Sequence, residues 1–211
     1  MEPIYDRDRI RKRPGMYIGL TDNNRLALHQ MVFEVAANAV NEALDGHADL
    51  IEITLNADGS VTVSDNGSGI PVTVDEDERL SIAELIMTRL HAGGKFGQNS
   101  HRVSGGLHGV GVCVVNALSE MLELRIWRDD AEWFMRFRHG IAEAGLGKIG
   151  PSNGRTGTEI KFKPAPEIFT EIDFDFATIK DHARKLASLG SGFRISLTDI
   201  RGSEPKRTDI A

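Results

Sequence analysis

The sequence predicts an α+β protein, a two-layer sandwich whose mixed, mostly antiparallel sheet is covered on one face by helices. Three observations carry this. Apolar residues alternate in strand pairs joined by tight turns. Segments with apolar residues at helical spacing lie between those pairs. The glycine-rich stretches lack the spacing of a parallel dinucleotide-binding unit.

Residues 1–25 are polar and turn-rich, broken by Arg13-Pro-Gly15. Over about 26–44, Leu28, Met31, Val32, Val35 and Ala39 recur at helical spacing, and Gly46 supplies a stop. Ile51, Ile53 and Leu55 alternate with Glu52, Thr54 and Asn56; Ala57-Asp-Gly59 turns the chain and Val61 and Val63 alternate again, a hairpin. An acidic loop covers 75–78. Ser81 and Glu84 then form a capping box opening a helix with Ile82, Leu85, Ile86 and Leu90 as its stripe. Residues 92–109 are rich in glycine and have no periodicity, the pattern of a functional loop, and a helix resumes over 109–118. A second hairpin joins 122–128 to 132–139 around Asp129-Asp130. A Gly-rich connection over 140–157 follows. Strands are expected at 158–163 and 194–198, with a helix over 176–189 stopped by Gly190.

The 211 residues suffice for one substantial core, and 40% hydrophobic with 27% charged residues is the composition of a soluble globular protein. A net charge of -6 argues against a nucleic-acid-binding surface in this segment alone, which would need clustered cations. The basic cluster Arg7, Arg9, Arg11, Lys12 and Arg13 is read as a solvated N-terminal arm. A single cysteine, Cys113, forbids an internal disulfide, fits a reducing cytoplasm and lies in an apolar run as a buried, inert thiol. No secretory signal or membrane-length apolar stretch is present.

Five segments carry chemistry: Glu34-Val-Ala-Ala-Asn38, Asp65-Asn-Gly-Ser-Gly69, Gly93-Gly-Lys95, Gly105-Gly-Leu-His-Gly-Val-Gly111 and Thr156-Gly-Thr158. Glu34 and Asn38 share a helix face, a carboxylate suited to general-base work and an amide oxygen suited to Mg2+; the bland alternative is a polar helix edge. Asp65 shares parity with Val61 and Val63, and Thr158 with Ile160 and Phe162, so both polar side chains turn inward at the ends of apolar rows. They form either a pocket floor suited to a purine amino group or a mutual structural hydrogen bond. The glycines of 105–111 run G-x-x-G-x-G at the mouth of a helix, where backbone N–H groups can wrap an anion. Gly93-Gly-Lys95 is no Walker A motif, although Lys95 offers phosphate a point charge.

With Arg11-Lys-Arg-Pro-Gly-Met-Tyr-Ile-Gly19, Leu90-His-Ala-Gly-Gly-Lys-Phe96 and Ser104 to Gly111, the chain closely resembles the N-terminal ATPase domains of the bacterial gyrase and topoisomerase IV ATPase subunits, members of the GHKL ATPases with the Bergerat fold. The resemblance covers about 11–200. It implies Glu34 as general base, Asn38 on Mg2+, Asp65 with Thr158 on adenine, and Gly69, Ile70 and Pro71 beside the base. It places Gly94, Lys95, Leu107, His108, Gly109, Val110 and Gly111 on the phosphates. It further implies an ATP-hydrolysing type II DNA topoisomerase, an ATP-dependent homodimer gating DNA, a gyrase A-type partner, a bacterial cytoplasmic location without membrane contact, and ATP-competitive inhibitors. The expected layout is an arm over 1–25, the ATP-binding domain over 26–200 with a mobile lid at about 75–109, and a truncated connection over 201–211 toward a transducer domain. Very low turnover is therefore expected of the fragment.

Four positions depart from the family pattern: Gln30 stands where a histidine is usual, Ala37 and Asn41 where acidic residues are common, and Ser68 where an arginine is usual. The other reading is a nucleotide-binding module with little or no hydrolysis. A sensor kinase is disfavoured, because no phosphoacceptor helix precedes the motifs.

Overall fold

In the computed structural model, residues 6–19, 25–90, 92 and 111–211 are described. The sheet runs β5-β4-β3-β7-β2-β1-β8-β9, with β6 also on β4. Its strands are β1 Leu50–Leu55, β2 Val61–Asp65, β3 Ser119–Arg128, β4 Ala131–Arg138, β5 Ile141–Ala142, β6 Gly147–Pro151, β7 Gly157–Pro164, β8 Arg194–Asp199 and β9 Lys206–Ile210. β1 and β8 are parallel; the other pairings among the described strands are antiparallel. This is the mixed, mostly antiparallel α+β sandwich that the alternation implied.

The central helix α3 (Arg25–Leu44) follows α1 (Asp6–Lys12) and α2 (Gly15–Ile18). It is buried almost all round, because its stripe of Leu28, Met31, Val32, Val35 and Ala39 is widened by Ala27, Phe33, Ala36 and Val40. One side packs on β1 and β2. Another meets α5 (Val112–Ala117) and α6 (Phe176–Ala187). The opposite sheet face is dressed with cross-strand ion pairs, Arg136–Glu123 at 2.6 Å and Arg125–Glu132 at 2.8 Å, which suits it to water.

Several elements differ from the sequence reading. Helix α4 (Ile82–Thr88) has Ser81 Oγ accepting from Glu84 N at 3.1 Å, as the capping box required. Its buried residues are Ala83, Leu85 and Met87, whereas Ile86 and Leu90 are only partly buried. Leu90 lies beyond the helix because Arg89 turns extended. The 140–157 connection contains β5 and β6, two short strands that the glycines hid. Within 201–211, β9 forms the sheet edge beside β8. The basic cluster is not simply a solvated arm. From α1, Arg7 Nε donates to His139 O at 2.6 Å and Arg11 donates to Ala117 O at 2.7 Å and pairs with Glu167, while Ile10 is buried. Cys113 is buried as expected, and burial pushes its thiol up to about 12. Among the described residues no helix is long and apolar enough to cross a membrane.

Candidate functional site

The hairpin β1–β2 ends at Asp65, and β7 runs antiparallel to β2 with Ile160 opposite Val63. That register sets Thr158 beside Asp65. The Asp65 carboxylate accepts from Gly67 N at 2.9 Å and from Thr158 N at 3.3 Å, both through Oδ1. Thr158 is 6% exposed, and its Oγ1 accepts from Ile70 N at 3.2 Å. The mutual side-chain bond between Asp65 and Thr158 is thus replaced by bonds from backbone N–H groups. Thr158 keeps its hydroxyl proton to donate, and Asp65 keeps Oδ2 as an acceptor. Burial pushes the Asp65 carboxyl up to about 6; the Glu42 charge adds to the rise, and the two backbone donors oppose it. A group that donates an N–H to Oδ2 would relieve that cost.

Two glycines make this floor possible. Gly157 has φ +125°, and a Cβ there would collide with the Asp65 carbonyl oxygen. Gly69 is buried at φ +77°, and its Cβ would sit 3.0 Å from Trp127 O and 3.1 Å from Gly157 O. Ile70 and Pro71 follow, both partly buried, and Ile70 packs against the core.

On α3, Glu34 is only 5% exposed, and Gln30 Nε2 donates to its Oε1 at 2.9 Å. A solvent-facing helix edge therefore does not describe Glu34. Asn38 differs: between Ala27 and Val40 it is the single exposed residue. The buried middle of the helix thus opens at one amide. Among the described residues no cluster of three His, Cys, Asp or Glu side chains could hold a metal alone. An oxygen-seeking cation that takes most of its ligands from phosphate and water fits a lone amide donor. Gly111, at φ +74°, starts α5. Gly94, Lys95, Leu107, His108, Gly109 and Val110 lie outside the described residues.

Two further residues reach this region. Glu42 Oε2 accepts from Ser68 N at 3.1 Å and Ser68 Oγ at 2.8 Å. Arg128 donates to Gly69 O at 2.6 Å and to Ser68 O at 3.3 Å. Glu42 had a signal in the sequence, since it repeats the four-residue step of Glu34 and Asn38 along one helix face. Arg128 had none, because only the β3–β7 pairing brings it to the turn.

The family model for histidine kinase-, DNA gyrase B- and HSP90-like ATPases matches residues 23–168, which include Glu34, Asn38, Asp65, Gly111 and Thr158. The chain is 56% identical over 201 residues to the DNA gyrase B protein of Rickettsia felis, with 95% of this chain and 25% of the relative covered. It is 53% identical over 208 residues to the DNA gyrase B protein of Caulobacter vibrioides, covering 94% and 26%. Against the DNA gyrase B protein of Haloferax volcanii it is 50% identical over 199 residues, covering 92% and 31%. The chain therefore spans about a quarter to a third of the length of these curated relatives. An inward carboxylate on a β-hairpin, a glutamate in a buried helix and this family match converge on one conclusion: the chain belongs to the histidine kinase-, DNA gyrase B- and HSP90-like ATPases, and ATP is its ligand.

Proposed function

We propose that this chain is the ATP-hydrolysing N-terminal domain of a gyrase-type type II DNA topoisomerase, working in the bacterial cytoplasm. Asp65 Oδ2 accepts the exocyclic amino group of adenine while Thr158 donates its hydroxyl proton nearby. Ile70 and Pro71 cover one side of the ring. The glycine-rich 105–111 segment and Lys95 bind the phosphates. Asn38 offers its amide oxygen to Mg2+, which when bound neutralises developing phosphate charge. Glu34, oriented by Gln30, takes a proton from the water that attacks the terminal phosphate. In the whole protein, ATP-dependent pairing of two such domains would gate DNA passage with a gyrase A-type partner. ATP-competitive inhibitors would enter at the adenine pocket.

The observation that carries this reading is the partly buried, inward Asp65 carboxylate, held among the described residues by backbone donors through Oδ1. Its test is calorimetric titration with ATP and Mg2+. Asp65→Ala should weaken binding at least about tenfold, and an unchanged affinity would sink the proposal. Glu34→Ala should keep binding and lose turnover by about 10²-fold or more in single-turnover hydrolysis. If wild type already shows no turnover, the module that binds without hydrolysing is the better description, and Gln30 in place of a chargeable partner is its motive.

A further inference from the structure

Glu42 stands outside the roles assigned above, yet it occupies the turn on which purine recognition depends. Its Oε2 accepts two hydrogen bonds from Ser68, one from the backbone and one from the hydroxyl. The position a Gly67 Cβ would take lies 2.8 Å from Glu42 Oε2 and 3.0 Å from Asp65 Oδ1, which bounds the two carboxylates within about 6 Å of each other. Gly67 is also the residue whose N–H holds Asp65. The glutamate thus grips the 65–69 turn from α3 on one side, as Arg128 grips its carbonyls from β3 on the other.

We propose that Glu42 is a positioning residue for purine recognition, which clamps the 65–69 turn through Ser68 and sets a like charge beside Asp65. The inference rests on Asp65 being the purine acceptor. Two acts are combined in one side chain. The clamp fixes the direction of the Gly67 N–H, and hence which Asp65 oxygen remains open. The charge raises the proton affinity of Asp65, so the carboxylate gains more from an incoming N–H donor than an isolated one would. Among the described residues the charge that acts on Asp65 is Glu42 from α3, while Arg128 from β3 is spent on the Ser68 and Gly69 carbonyls. Asp49, just before β1, accepts from Asn66 Nδ2 at 2.7 Å.

Two substitutions separate the acts. Glu42→Gln keeps an oxygen that can accept from Ser68 and removes the charge; Glu42→Ala removes both. Binding of ATP with Mg2+ at pH 8, where Asp65 is ionised, should fall about tenfold in Glu42→Ala. In Glu42→Gln it should stay within about threefold of wild type. The carboxyl 13C shift of Asp65, followed from pH 4 to 8, should titrate at least about half a unit lower in Glu42→Gln than in wild type. A merely structural role would leave that midpoint in place. Wild-type affinity in Glu42→Ala, confirmed as folded by its circular dichroism, overturns the clamp, and an unmoved Asp65 midpoint in Glu42→Gln overturns the charge. If Asp65→Ala itself leaves affinity intact, the purine assignment fails instead, so the two failures are distinguishable.

Discussion

The two ends of the site are built from different materials. At the proposed purine end, Asp65 is fixed by the N–H groups of Gly67 and Thr158, and Thr158 by the N–H of Ile70. At the proposed water-activating end, Glu34 is fixed, among the described residues, by one side-chain amide from Gln30. Backbone donors persist through most substitutions, whereas a side-chain donor is lost with a single codon. With the proposed roles of Asp65 and Glu34, recognition is the robust property and hydrolysis the adjustable one. Gln30 is an instance of that adjustment, since it supplies a hydrogen bond but no charge and no proton relay.

The sharpest way to break this contrast is to attack the backbone itself. Gly157→Ala puts a Cβ into the Asp65 carbonyl at φ +125°, so β2 and β7 cannot keep their register at the pocket floor. The expected loss is about 3 kcal/mol or more in chemical denaturation, with ATP binding lost as well. Wild-type stability in this variant would show that the floor yields easily, and the contrast would fail.

Next in size is Asp65→Asn, which keeps the acceptor for Gly67 and Thr158 but removes the charge. The folded carboxyl titrates near 6, above its unfolded value, so the folded state binds more protons between about pH 4 and 6. Wild-type stability contributed by this group therefore falls as pH rises through that window and stays low above it. Asn should remove that slope and stabilise the protein by roughly 1–2 kcal/mol at pH 8. ATP affinity should drop at least about tenfold. A variant that is both more stable and weaker in binding marks a group held at a cost for recognition. Urea titrations at pH 4.5 and 8 would check the slope.

At the other end, Gln30→Leu should lower single-turnover hydrolysis about tenfold with ATP affinity nearly unchanged, because Glu34 loses its only described side-chain partner. Gln30→His should raise turnover above wild type. If both substitutions alter binding rather than turnover, the two ends are coupled and the division drawn above is wrong.

Most of this contrast is legible in the sequence, for a physical reason. Strand parity is local, so Val61, Val63 and Asp65 declared an inward carboxylate, and Thr158, Ile160 and Phe162 did the same for the threonine. The i, i+4 step likewise placed Gln30 under Glu34. Long-range pairing was not legible. Nothing near Arg194 announces that β8 joins β1 in parallel. The docking of Arg7 and Arg11 onto His139 and Ala117 spans more than a hundred residues, so the cluster looked like a solvated arm. Glu42 was missed although its spacing was visible, because its importance lies in Ser68, a residue noticed only for replacing an arginine.

The smallest expected effect concerns what props the water-activating helix. His29, buried on α3, contacts Arg25 O through Nδ1 and accepts from Asp175 N at 2.8 Å through Nε2. Nδ1 therefore carries the proton, and no second proton can be added without losing the Asp175 bond. His182 stacks on Phe33, the neighbour of Glu34, with ring centroids 3.6 Å apart, and burial pushes it down to about 4. Burial lowers His29 too, against the opposing pull of Arg25 O and Asp175. Both histidines are shifted down, so their stabilisation is complete above about pH 6.5 and fades as pH falls, for His182 toward 4, the reverse of the Asp65 slope. For partly buried His182 the loss is on the order of 1 kcal/mol after solvent screening. His182→Phe keeps the stack and removes the titration, so its urea midpoint should fall less than that of wild type between pH 6.5 and 4.5. An equal fall in both would mean that α6 does not transmit acid to α3, and the side-chain-built end would lose one of its two props.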